Sequence, residues 1–244
     1  MTNLIKVDLK RVLKDKLIIV ILILGAVFAL ITPLLYRLLF SAVDDPSIEV
    51  IAGDLTSAKN HFFTAFSLSS DFGLIVPVLL AIILCKDFSF GTVRNKIICG
   101  NSRRSIFLSM YTVCAAVLWV VVLMHALLML AISLCFFKFQ QAPFTMSDFW
   151  YIIESLAFEF LAYMFVSALI CWLCASMKNV GLVIVLYIAG TMGISIITSI
   201  LDVATQLLNE FGGNKALIEI LTFIQKINVF NYPAVIASST SYSL

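Results

Sequence analysis

From Leu17 to Tyr36 the chain carries no charge. At 1.5 Å per residue a helix of that stretch reaches the ~30 Å of a bilayer's hydrocarbon core. A soluble domain has no use for such a run, and this chain has several. Backbone N–H and C=O groups inside lipid must be satisfied within their own segment, so a chain built from these runs is restricted to helices. The fold class predicted is therefore all-α: a polytopic helical membrane protein, with an interfacial amphipathic helix at the N-terminus and five visible spans. Composition agrees, with 62% hydrophobic and only 12% charged residues. Too little polar surface exists to cover a water-soluble body. A net charge of +2 exerts no general pull on nucleic acid.

Residues 3–16 set Ile5, Leu9, Val12 and Leu13 at helical spacing beside a stripe of Lys6, Lys10 and Lys14. This pattern predicts a helix lying along a membrane surface. Within it Asp8 and Asp15 stand at i−3 and i+4 from Arg11, spacings at which both reach it. Spans are predicted over 17–40, 62–85, 105–137, 148–176 and 180–201. Residues 41–60 are acidic. Residues 203–232 mix apolar and polar positions around Gly212-Gly213 and predict two short amphipathic or re-entrant helices on the extracellular side. The whole chain, 1–244, forms one transmembrane domain.

Charge orients it. Eleven Lys/Arg fall in the N-terminal helix, in 86–104 and at Lys178, against five at Arg37, Lys59, Lys138, Lys215 and Lys226. The excess places the N-terminus and 86–104 in the cytoplasm. The 86–104 stretch alternates charge with Phe88, Phe90, Val93, Ile97 and Ile98. A loop that merely hugs anionic lipid needs no such apolar positions, so it reads as a docking segment, with Arg94 and Lys96 available to acidic groups of a partner and Gly91 allowing a turn.

Chemistry of other kinds is sparse. No GxxxxGK[ST] occurs, and neither HExxH nor GxSxG. No catalytic residue, bound cofactor or metal is expected, and the chain is not read as an enzyme. Cys171 and Cys174 form a CxxC inside a span with no second pair and no nearby His, which reads as apolar packing. His125 lies mid-span without an acid at i±3 or i±4 and reads the same way. Asp71, Glu154 and Glu159 are intramembrane acids. Each is either an interhelical hydrogen-bonding group or part of a substrate path. Glu154 and Glu159 project from faces ~140° apart on one helix.

The run Asp87-Phe88-Ser89-Phe90-Gly91-Thr92-Val93-Arg94-Asn95-Lys96, followed by Gly100-Asn101-Ser102-Arg103, resembles the central loop of ABC-2 type permease subunits of ABC transporters. The N-terminal amphipathic helix with Asp8 is similar to that family's interface helix. The resemblance implies a dimeric transmembrane domain, with a second permease copy or a paralogue, in a bacterial plasma membrane. It implies two cytoplasmic ABC ATPase subunits that bind ATP and Mg. The loop would be the coupling helix that docks on them, through Asp87, Phe88, Phe90, Gly91, Thr92, Arg94, Lys96 and Arg103. It implies export of a hydrophobic or amphipathic substrate, as in permeases of peptide-antibiotic resistance and immunity. The family's sixth span is expected beyond the present sequence. An ion-coupled secondary carrier and a non-transport membrane scaffold are the alternatives; a carrier would need paired midplane ligands and inverted repeats, which the sequence does not display.

Overall fold

The computed structural model describes residues 2–41, 57–68, 70–140, 145–177, 179–210 and 220–221. Among them eight helices form the fold: α1 (Thr2–Lys14), α2 (Lys16–Ser41), α3 (Ala58–Phe66), α4 (Asp71–Ser89), α5 (Thr92–Ile98), α6 (Arg103–Phe136), α7 (Met146–Met177) and α8 (Val180–Glu210). Five of them, α2, α4, α6, α7 and α8, are long and apolar enough to cross a membrane. The protein is thus an all-α polytopic membrane protein by its helices.

The middle of the bundle is α6, which packs against α1 through α5 and α7. Its buried residues step along one face: Ile106, Met110, Val113, Val117, Val121, Ala126 and Met129 among them. Most of these steps are of three or four residues, the repeat of a helix face. Phe107, Leu108, Val120, Met124 and Leu128 on the same helix are exposed. Apolar residues thus occupy both faces, one against protein and one facing where lipid would lie.

Three differences from the sequence reading have local causes. Residues 62–85 are not one span. The chain breaks at 67–70, because two serines cap the ends that meet there. The Ser67 N–H closes α3 on the Phe63 and Thr64 carbonyls, and the Ser70 hydroxyl accepts the Gly73 N–H to open α4. Asp71 therefore begins a helix instead of lying within one, and its side chain is outside the described residues. Second, α4 continues through Lys86, Asp87 and Phe88, so the connecting segment is shorter than 86–104. Third, α8 runs unbroken past Leu201 to Glu210. The helices expected over 203–232 begin as part of it, and most of the remainder, with Gly212-Gly213, lies outside the described residues.

At the end of the bundle where α3 begins, Ala58 and Lys59 donate their N–H groups to the Lys138 and Phe139 carbonyls. The Lys59 ammonium reaches the Asp148 carboxylate at 2.6 Å. Asp148 also accepts from the Thr145 N–H and hydroxyl, capping the first turn of α7. Deeper, Tyr163 of α7 donates its hydroxyl to the Phe66 carbonyl at 3.1 Å. α3 is held in this way between α6 and α7.

Candidate functional site

The opposite end of the bundle gathers α1, the last turn of α4, α5 and the first turns of α6. Three carboxylates and three cations interlock there. Asp8, on the apolar side of α1 near Val12, is only 2% exposed. One of its oxygens accepts from the Lys96 ammonium at 2.6 Å and the other from the Ser109 hydroxyl at 2.8 Å. Arg11, one turn on, bonds through Nη1 to Oδ1 of Asp87. Lys96 also stands 3.7 Å from Oδ2 of Asp87, an ion-pair distance without a hydrogen bond. Asp15 accepts from the Lys86 ammonium at 2.8 Å and from the Leu17 N–H at 3.1 Å.

Helical spacing makes this possible. Asp8, Arg11 and Asp15 lie three and four apart, so they share one face of α1. That face meets the end of α4, where Lys86 and Asp87 are adjacent, and α5, which supplies Lys96. The expected pairing of Asp8 and Asp15 with Arg11 does not form. Each finds a partner on another helix, Lys96 for Asp8 and Lys86 for Asp15, while Arg11 is engaged by Asp87. The signal for this was present: Asp8 interrupts the apolar stripe of an amphipathic helix, where an acid must meet a buried partner.

Burial acts to raise the Asp15 carboxyl, but the hydrogen bonds from Lys86 and Leu17 and the charges of Lys86 and Arg11 outweigh it and hold the group below its ordinary value. A carboxylate depressed on folding stabilises the fold above its unfolded pKa, and that contribution is lost as pH falls through the folded one. On this count the contact between the end of α1 and α4 is expected to loosen only below the ordinary carboxylate range. The part of the amide hydrogen exchange along 8–16 that Asp15 controls should stay constant from neutral pH down to about pH 4 and accelerate below it, after correction for the intrinsic rate. Asp15→Asn is expected to remove the part of that acceleration that belongs to Asp15.

The short helix α5 gives Lys96 to the cluster and turns its other charged residue, Arg94, outward. Gly91 precedes it with φ +69°, a left-handed conformation that a side chain would strain, and the chain turns there. Among the described residues α5 buries none of its own. Phe90 is 79% exposed and Ile98 73% exposed, with Arg94 beside them on the outside. The residues expected to face a partner therefore separate into two sets. Phe90, Arg94 and Arg103 are exposed. Asp87 is buried and Lys96 nearly so, both inside the protein's own ion-pair cluster, while Phe88 packs against the core. Gly91 and Thr92 form the turn into α5.

The intramembrane acids also separate. Glu154 is exposed. Glu159 is 3% exposed, and neither of its oxygens has a hydrogen-bond partner among the described residues. It faces Phe62, Phe63 and Phe66 of α3 across a space too tight for a water molecule, with the Ser155 hydroxyl next to it and likewise unpartnered. His125 donates its Nδ1–H to the Gly25 carbonyl, 3.0 Å away, and its ring lies against Phe72, so it joins α2, α4 and α6. Among the described residues no three His, Cys, Asp or Glu side chains come together as metal ligands.

The chain matches no model of a known protein family, no curated protein and no solved structure. What the cluster can do is therefore read from its own geometry. Its hydroxyl, that of Ser109, is buried and donates to Asp8. Lys96 ties α5 to α1 and α4, and the Ser109 hydroxyl ties α1 to α6.

Proposed function

We propose that this chain is the membrane-spanning subunit of an ATP-driven exporter of the ABC-2 type. It would move a hydrophobic or amphipathic substrate, such as an antimicrobial peptide or drug, with power from cytoplasmic ATPase subunits. The observation that carries the reading is α5. A seven-residue helix that displays Arg94 and Ile98 to solvent, with Phe90 exposed just before it, has poor prospects of persisting by itself. Here it is braced from behind by Lys96, which is what a segment needs if it is to take up force without melting. An apolar and cationic tip on a rigid support suits an acidic-rimmed cleft on another protein. The resemblance of 87–96 to the ABC-2 central loop supports the same reading and adds a second permease copy or paralogue as the other partner.

The brace also explains a division of labour. Phe90, Arg94 and Ile98 meet the ATPase, while Asp87 and Lys96 convey its movement to α1 and α6. In the alternative of an ion-coupled carrier, coupling would fall to Glu159, whose surroundings hold no second acid among the described residues.

The test begins with purification of the full chain from its native membranes, from which an ABC ATPase is expected to co-purify. Arg94→Glu combined with Phe90→Ala is expected to weaken its binding about 30-fold, the effect of losing ~2 kcal/mol of a docking anchor. The thermal midpoint of the permease itself should not move, since neither side chain is buried. Binding unchanged by this double variant would overturn the docking role of α5. Export that survives ATP depletion and fails on collapse of the proton gradient would overturn the ATP-driven reading altogether.

A further inference from the structure

Four cysteines meet in the buried half of the bundle, as two pairs. Cys85, near the end of α4, has its sulfur 3.0 Å from that of Cys174 on α7, and neither has measurable exposure. Cys114 of α6 lies within hydrogen-bonding reach of Cys171, also on α7. All four are free thiols. Each member of the CxxC therefore faces a cysteine from a different helix, a second pair that is distant in sequence and present only in space. The CxxC is not its own partner.

A metal is a poor occupant. Two thiolates bound tetrahedrally at ~2.3 Å to one zinc ion would stand roughly 3.8 Å apart, well beyond the observed separation. No additional ligand joins either pair among the described residues. Two thiols in contact across a helix interface are instead set for oxidation to a disulfide. In the reducing cytoplasm they stay as thiols.

We propose that Cys85 and Cys174 are a thiol-oxidation site, which a membrane-permeant halogen oxidant, a hypohalous acid or molecular iodine, converts to a disulfide that fastens α4 to α7. One sulfur attacks the halogen and loses its proton, giving a sulfenyl halide. The second sulfur displaces the halide and loses its proton in turn. Two S–H bonds break and one S–S bond forms. The halogen is reduced to two halide ions, or to halide and water when it arrives as the hypohalous acid. Thiol reductants reverse the link by exchange. Asp87 follows Cys85 by two residues, so the link ties down the very end of α4 that holds Arg11 and neighbours Lys96. Oxidation would stiffen the α4–α7 contact beneath the ion-pair cluster. This goes beyond the exporter reading and does not depend on it.

The experiment uses the full chain in native membranes. Molecular iodine is added, the protein is denatured and alkylated, and its peptides are mapped by mass spectrometry without reduction. The exposed Cys99 and the outward-facing Cys135 report that the oxidant has reached both the aqueous and the lipid side. The expected result is a linked peptide joining Cys85 to Cys174, with both lost from the alkylated pool together and both restored by dithiothreitol. The thermal midpoint of the oxidised protein should rise by a few degrees and fall back on reduction. In Cys85→Ser the partner Cys174 should remain alkylatable, and in Cys174→Ser the same should hold for Cys85. A wild-type protein in which Cys99 and Cys135 react while Cys85 and Cys174 remain alkylatable overturns the proposal. So does a link from Cys174 to Cys171.

Discussion

Lys96→Ala is expected to destabilise the protein by about 3–5 kcal/mol, the penalty for removing one member of a buried ion pair. Lys96 is the only cation within 4 Å of Asp8 among the described residues, and it also neutralises part of Asp87. Without it the Asp8 carboxylate keeps only the Ser109 hydroxyl. A carboxylate in that position loses far more than a surface pair would. The effect should be visible as a large fall in the thermal midpoint of the detergent-solubilised protein and as early proteolysis near α1. Asp8→Asn in the same chain removes the stranded charge, so the double variant should recover a substantial part of the loss. The coupling between the two substitutions is expected to exceed 1 kcal/mol. A Lys96→Ala protein within 0.5 kcal/mol of wild type would mean that α1 is not held by this cluster.

Gly73→Ala is the second large effect, and it acts through backbone. A Cβ at this position would stand 2.5 Å from the Ser67 carbonyl oxygen and 3.0 Å from that of Leu68. Both belong to the corner between α3 and α4, where the Ser70 hydroxyl accepts the Gly73 N–H. Neither oxygen can rotate away as a side chain would. Either the corner opens or α4 shifts, and Pro77 one turn later already deprives the Gly73 carbonyl of its usual helical donor. The expected cost is about 3 kcal/mol, at the upper end of overpacking penalties. Gly190→Ala is the control, since nothing lies within 4 Å of a Cβ there; no loss is expected. Equal midpoints for Gly73→Ala and wild type would refute the tight corner. The substitution should also alter the reactivity of Glu159 to a lipid-soluble carbodiimide, because α3 carries the phenylalanines that cover it.

Gly25 illustrates how far local pattern carries an inference. Its place in an apolar run predicts a close helix contact. The structure supplies the neighbours, Phe72 and His125, and a Cβ would come within 2.8 Å of the Phe72 ring. That such a contact exists was readable from residue type; which helices make it was not. The same holds for Glu159 and Glu154. Five positions apart on one helix they must diverge, yet only packing decided that Glu159 turns inward to α3.

The sequence by itself determined the class of molecule. Uncharged runs as long as a bilayer is thick leave helices as the one way to satisfy the backbone, and Lys/Arg placement separates 86–104 from the other connections. Caps and turns were also local matters, since Ser70, Gly91 and Ser102 act on neighbours a few residues away. Tertiary structure alone decided which apolar face of each span meets protein, because lipid and protein interiors favour the same side chains and the pattern carries no difference between them. It likewise decided the pairs Lys96 with Asp8, Arg11 with Asp87 and Cys85 with Cys174. Those partners lie 88, 76 and 89 positions apart, and only the bundle's packing brings such distances to zero.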